Sequence, residues 1–128
     1  MHAVDTNVLV RLLVRDDPSQ ARAAERFVAG GAWVSHLVLA ETCWVLASVY
    51  DVPRVKLGNA IELLLDHEHL VLEDPAVIVA ALAHFRATPK VGFSDCLILE
   101  VARKAGHTPL GTFDRALGAV NGARRLGR

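Results

Sequence analysis

An α/β fold, with a short, mostly parallel central sheet and helices on both faces, is predicted for this chain by three observations. Short apolar runs alternate with longer segments of helical period along its length. Two Asp-Pro pairs, Asp17-Pro18 and Asp74-Pro75, set a capping carboxylate before a proline suited to a first helical turn. Finally, 128 residues, 52% of them apolar at a mean hydropathy of +0.32, supply one core but not two, and too little polarity for a disordered chain. The expectation is one compact domain over residues 1–128, without repeat, linker or low-complexity segment.

Met1 to Val4 is a short apolar run ending at Asp5 and reads as the first strand, and Val8 to Val14, broken by Arg11, reads as a helix. The helix that opens at Asp17-Pro18 runs to about Ala29, where Gly30-Gly31 ends it. Ala32 to Ser35 is the second strand and Leu37 to Tyr50 is long enough for a helix. Val52-Pro53 gives a proline start without a capping side chain to a helix over about Arg54 to Leu65. Asp66-His67-Glu68-His69 then bridges that helix and a strand at Leu70 to Leu72; without a spaced second ligand group it reads as a polar loop, not a transition-metal site. The helix after Asp74-Pro75 covers about Ala76 to Ala87 and ends near Pro89. Phe93 to Ala105 is the last long helix and Pro109 to Phe113 the last strand. The basic tail, Arg124-Arg125-Leu126-Gly127-Arg128, could touch phosphate but reads first as a solvated terminus.

Fourteen Lys and Arg balance fourteen Asp and Glu, which excludes a protein that coats a duplex with general positive charge and confines any nucleic-acid contact to a local patch. The aromatic residues Phe27, Phe85, Phe93, Phe113, Trp33, Trp44 and Tyr50 fall mostly in apolar runs, so phosphate rather than stacked bases is the group expected to be recognised. Cys43 and Cys96 lack CxxC spacing, no positively charged apolar leader opens the chain, and no apolar run approaches the roughly 18 residues of a spanning helix. A soluble, cytoplasmic protein without membrane contact is expected.

Among the acids, four stand in hydrophobic sequence. Asp5 closes the first strand, at the edge where parallel sheets bind ligands, although an N-cap alone would also place an acid there. Glu41 has Leu37, Val38, Trp44 and Val45 at helical spacing and no cation within a turn, so burial is predicted, with a distant Arg or a metal ion as its partner. Asp95 opens the Phe93 helix at the edge of its apolar arc, and Asp114 follows the last strand as Asp5 follows the first. Glu100, on the same helix as Asp95 but aligned with Lys104 and Cys96, is expected to be solvated. Several carboxylates at one sheet edge repel one another unless a divalent cation shares them, and all-oxygen donors suit Mg²⁺ or Mn²⁺.

The segments VDTNVLVRLLVRDDP, SHLVLAETCWVL around Glu41, GFSDCLILEVARKAG around Asp95 and LGTFDRAL around Asp114 resemble, in order and spacing, a PIN-domain ribonuclease, specifically the VapC-type toxin of toxin/antitoxin pairs. The resemblance covers nearly the whole chain. It implies a single PIN-like domain that hydrolyses RNA with Mg²⁺ or Mn²⁺. It assigns metal binding to Asp5 and Asp95 first, then Glu41 and Asp114, and an orienting role to Thr112. It further implies a cognate antitoxin and a homodimer. Many relatives carry a further acid shortly before the Asp95 position, where this chain has Val91-Gly92-Phe93-Ser94. Thr6 and Asn7 are expected to hydrogen-bond the first helix turn, capping it, with a metal-bound water as the alternative, and Arg11, Arg15, Arg103 and Arg115 are candidate phosphate clamps against a solvated-surface reading. Two alternatives remain. A phosphoacceptor module needs an adjacent acidic pair after its first strand, where this chain has Asp5-Thr6-Asn7, and a silent RNA-binding scaffold would lack part of the quartet.

Overall fold

The structure is a computed structural model and describes residues 1–127. Among the described residues, seven helices and five short strands form an α/β arrangement in which every strand pairing is parallel. The chain divides into two compact units, one spanning Met1–Glu73 and the other beginning at Asp74.

In the first unit β1 (His2–Ala3), α1 (Thr6–Val14), α2 (Pro18–Val28), β2 (Ala32–Val34), α3 (His36–Ser48), α4 (Arg54–Asp66) and β3 (Leu70–Leu72) follow one another. The sheet order is β1-β2-β3, with Ala3 opposite Trp33 and Trp33 opposite Val71. Period two is plain in β2 and β3: Ala32, Val34, Leu70 and Leu72 are buried while Trp33 and Val71 are exposed. The helices bury residues at three- and four-residue intervals, such as Leu39, Thr42, Cys43 and Leu46 of α3. Thr42 is tolerated there because its hydroxyl donates to the Val38 carbonyl at 2.7 Å. Asp17 caps α2 by accepting from the Gln20 N–H at 3.1 Å, with Pro18 behind it, and Gly31 at φ +96° turns the chain into β2. The first helix begins at Thr6, two residues earlier than its apolar period suggests, because Asp5 supplies the cap.

The second unit comprises α5 (Pro75–Ala87), α6 (Phe93–Lys104), β4 (Leu110–Thr112), α7 (Arg115–Gly118) and β5 (Ala123–Arg125). Helices α5 and α6 pack against each other, and the rings of Phe85 and Phe93 meet edge-on at 5.9 Å. Asp74 caps α5 and is bound by the Lys104 ammonium at 2.7 Å, which holds its carboxyl below the usual range.

Two expectations are corrected here. Glu100 is not solvated: it is only 6% exposed, with His84 Nε2 at 2.6 Å and Arg103 Nε at 3.2 Å. Neighbours on its own helix could not reveal this, since His84 comes from α5. The basic tail is exposed, as a solvated terminus would be, but it is not loose. Residues 123–125 form β5, parallel to β4, with Leu110 N–H donating to the Gly122 carbonyl at 2.9 Å and Leu126 N–H to the Thr112 carbonyl at 2.7 Å. Arg103 Nη2 also donates to the Asn121 carbonyl at 2.5 Å, anchoring the turn before the strand. Arg128 lies outside the described residues.

Candidate metal and nucleic-acid site

Strands β1 and β2 are parallel neighbours, so the helices that follow them, α1 and α3, both start at the same edge of the sheet. Asp5 is exposed there and accepts from the Val8 N–H at 3.2 Å through Oδ1, which caps α1. Ser35 caps α3 in the same way through Val38 N–H at 3.1 Å. The buried Thr6 is not the cap that was expected. Its hydroxyl donates to Glu41 Oε1 at 2.5 Å, which ties Glu41 to the residue beside Asp5. Glu41 is exposed, contrary to the burial predicted from its neighbours. Those neighbours are themselves uncovered, Leu37 at 83% and Trp44 at 63% exposure, so apolar residues at helical spacing here mark an open face rather than a core. The third strand of the sheet is followed by Glu73, whose carboxylate accepts the His36 N–H at 2.9 Å.

In the second unit Asp95 lies in the first turn of α6 and is half-buried. Burial, and then the like charge of Asp114, raise its carboxyl above the usual range, which places these two acids in electrostatic contact. Asp114 is exposed, follows β4 and accepts from the Ala116 N–H at 2.9 Å, capping α7. Thr112 Oγ1 accepts the Asp114 N–H at 3.0 Å, so the hydroxyl fixes the backbone from which that carboxylate projects.

The structure thus ties Glu41 to the Asp5 turn and sets Asp95 within the field of the Asp114 charge. Among the described residues no Lys, Arg or His forms an ion pair with any of the four. Also among the described residues, no group of three or more His, Cys, Asp and Glu is arranged to hold a metal ion. The donor chemistry nevertheless fits a hard divalent cation: every candidate atom is a carboxylate oxygen, and the Asp95–Asp114 repulsion is what such an ion would relieve. Three of the expected phosphate clamps have other employment. Arg11 pairs with Asp16 at 2.8 Å, Arg15 with Glu25, and Arg103 with Glu100, leaving Arg115 as the one of the four without an ion pair among the described residues. Of the aromatics, Phe27, Trp33, Trp44 and Phe113 are exposed although they lie in or beside apolar runs.

The sequence profile of the PIN domain matches residues 3–123. The chain belongs to the PIN domain family. The match runs through both compact units and includes Asp5, Glu41, Asp95, Thr112 and Asp114. PIN domains are typically nucleases, act on nucleic acid and generally use divalent metals. No curated protein matches the chain. No helix among the described residues is long and apolar enough to cross a membrane.

Proposed function

We propose that this PIN domain, a single nuclease domain over 1–128, is a Mg²⁺- or Mn²⁺-dependent endoribonuclease and the toxin of a toxin/antitoxin pair. The observation that carries the nuclease reading is the set of carboxylates left without protein cations: Glu41 tied through Thr6 to the Asp5 turn, and Asp95 half-buried within the field of the Asp114 charge. Asp5 and Asp95 are the first metal ligands proposed, with Glu41 and Asp114 completing the set. When bound, the ion supplies Lewis acidity toward phosphoryl oxygens and favours the ionised form of an attacking water. The chain's own part is positional. The Thr6 hydroxyl orients Glu41, the α1 cap orients Asp5, and Thr112 fixes the turn that carries Asp114. None of these residues forms a Ser/His/Asp or Cys/His nucleophile constellation, and burial pushes the Cys43 thiol up to about 12, far from a reactive thiolate.

The toxin role, the cognate antitoxin, the homodimer and the cytoplasmic location rest on the resemblance of the four motif segments. The phosphoacceptor and silent-scaffold alternatives gain no support from any contact described above. Digestion of total RNA by the purified protein tests the reading. EDTA abolishes cleavage, and Asp5→Asn lowers it by orders of magnitude while the protein still melts cooperatively. Equal cleavage by wild type and Asp5→Asn in Mg²⁺ would place the activity elsewhere. Expression without a partner arrests growth if the toxin role is right, and Asp95→Asn relieves the arrest.

A further inference from the structure

The arginines that sequence spacing offered for phosphate are mostly neutralised, while two others, Arg124 and Arg125, emerge on a strand instead of a loose tail. Strand β5 runs parallel to β4 with Arg125 opposite Thr112 and Arg124 opposite Gly111. Residues paired across neighbouring strands share a face of the sheet, and successive residues alternate faces. Arg125 therefore stands on the Thr112 side and Arg124 on the other. Helix α7, which Asp114 caps, packs on both strands, and Gly118 makes that packing possible. A Cβ at Gly118 would lie 2.6 Å from the Arg125 Cβ and 3.0 Å from its Cα, so the base of the Arg125 side chain packs directly on α7. The Arg125 side is exposed, and no acid among the described residues forms an ion pair with it. An arginine held on a strand, unneutralised, on the same face as the residue that orients Asp114 is poised for an external anion with a matching fork of acceptors.

We propose that Arg125 is a positioning residue that grips a backbone phosphate of the nucleic-acid strand beside the Thr112–Asp114 end of β4. The turn before β5 is what makes this grip specific in place. Arg103, itself locked on the buried Glu100, donates to the Asn121 carbonyl, and Gly122 at φ +95° lies against its guanidinium, where a Cβ would approach to 2.5 Å. The strand is thereby held in register, and Arg125 with it. The inference rests on the nuclease reading, and its test separates the two.

Binding of a fluorescent single-stranded oligoribonucleotide is measured in EDTA against salt concentration, and KM and kcat are measured in Mg²⁺, for wild type, Arg125→Ala, Arg125→Lys and Arg124→Ala. Losing one phosphate contact to a single strand lowers the salt slope by about 0.7. Arg125→Ala is expected to show that drop and a roughly tenfold higher KM with kcat nearly unchanged, the size of one charge-assisted contact. Arg125→Lys restores the slope and part of the KM. Arg124→Ala changes both less than twofold. Should Arg125→Ala melt early, Arg125→Gln, which keeps the base of the side chain against Gly118, replaces it in the same assay. Equal losses in the Arg124 and Arg125 variants would mean diffuse attraction by a basic tail and overturn the proposal. So would an Arg125→Ala protein that cleaves with wild-type KM and salt slope, leaving the nuclease reading intact. Wild type that neither binds nor cleaves the oligonucleotide sinks both.

Discussion

Helices α3 and α6, thirteen and twelve residues long, each carry a glutamate in their later half or middle, and the two carboxylates live in opposite surroundings. Glu41 stands in solvent between Leu37 and Trp44, held by one neutral donor, the Thr6 hydroxyl. Glu100 is buried, with both oxygens within 3.2 Å of Arg103 Nε and one at 2.6 Å from His84. A carboxylate matched by protein cations has its charge consumed by the fold. One that is oriented by a hydroxyl keeps its charge for something from outside. Charge pairing, rather than burial, is therefore the criterion that separates structural acids from candidate ligands in this chain.

The largest expected effect comes from breaking the structural member. Glu100→Ala removes the buried acceptor of Arg103 and His84, whose own side chains stay partly exposed, and the loss is about 1 to 3 kcal/mol. Urea denaturation followed by circular dichroism measures it as a lowered midpoint. A loss below about 0.5 kcal/mol would put Glu100 in the same class as an ordinary surface acid and dissolve the contrast with Glu41. The same variant loosens the Arg103 anchor of the turn before β5, so a weaker hold on Arg125 is a secondary consequence.

Glu41→Gln comes next and reverses the pattern. The side chain keeps its size and still accepts from Thr6, so stability changes by no more than about 0.5 kcal/mol. RNA cleavage in Mg²⁺ falls about a hundredfold, comparable to the loss of a group that supports a metal site. A variant that unfolds early yet cleaves normally per folded molecule would assign Glu41 to the fold.

These two residues also show what was legible in the sequence. Ranges such as Leu70–Leu72 and the Asp17 and Asp74 caps could be read because each depends on residues within one turn. Asp5 and Asp114 could be placed at strand ends for the same reason, and the four motif segments marked the family before any contact was known. Burial of Glu41 and exposure of Glu100 were read wrongly because each depends on what another element brings. No sequence window around Glu100 contains His84, sixteen residues away, and none around Glu41 contains Thr6, thirty-five away. Strand β5 was hidden because it is held by backbone bonds to β4 and by the Arg103 anchor, and Ala-Arg-Arg carries no apolar alternation.

The smallest expected effect lies at Asp95, which stands between the two extremes: half-buried like a structural acid, but facing Asp114 rather than a cation. Its carboxyl is raised above the ordinary value, by burial first and by the Asp114 charge second. A carboxyl with a folded pKa above its unfolded one binds its proton more tightly in the folded state. The ionised form therefore destabilises the fold at every pH above the raised value, and that penalty fades as the pH falls through it, vanishing below the unfolded value. Asparagine carries no such penalty. In EDTA at neutral pH, Asp95→Asn should melt at or slightly above wild type, by less than about 1 kcal/mol because solvent screens a half-exposed group. The excess should shrink on acidification. Added Mg²⁺ or Mn²⁺ should invert the order. At a free concentration about 100 times its dissociation constant, an ion that binds only the folded protein contributes roughly 2.7 kcal/mol, and the variant gains much less. Calorimetry in EDTA and then in metal decides the matter. A metal-free Asp95→Asn that melts several degrees below wild type would make Asp95 a structural group like Glu100, and the divide between paired and unpaired acids would no longer coincide with the divide between fold and site.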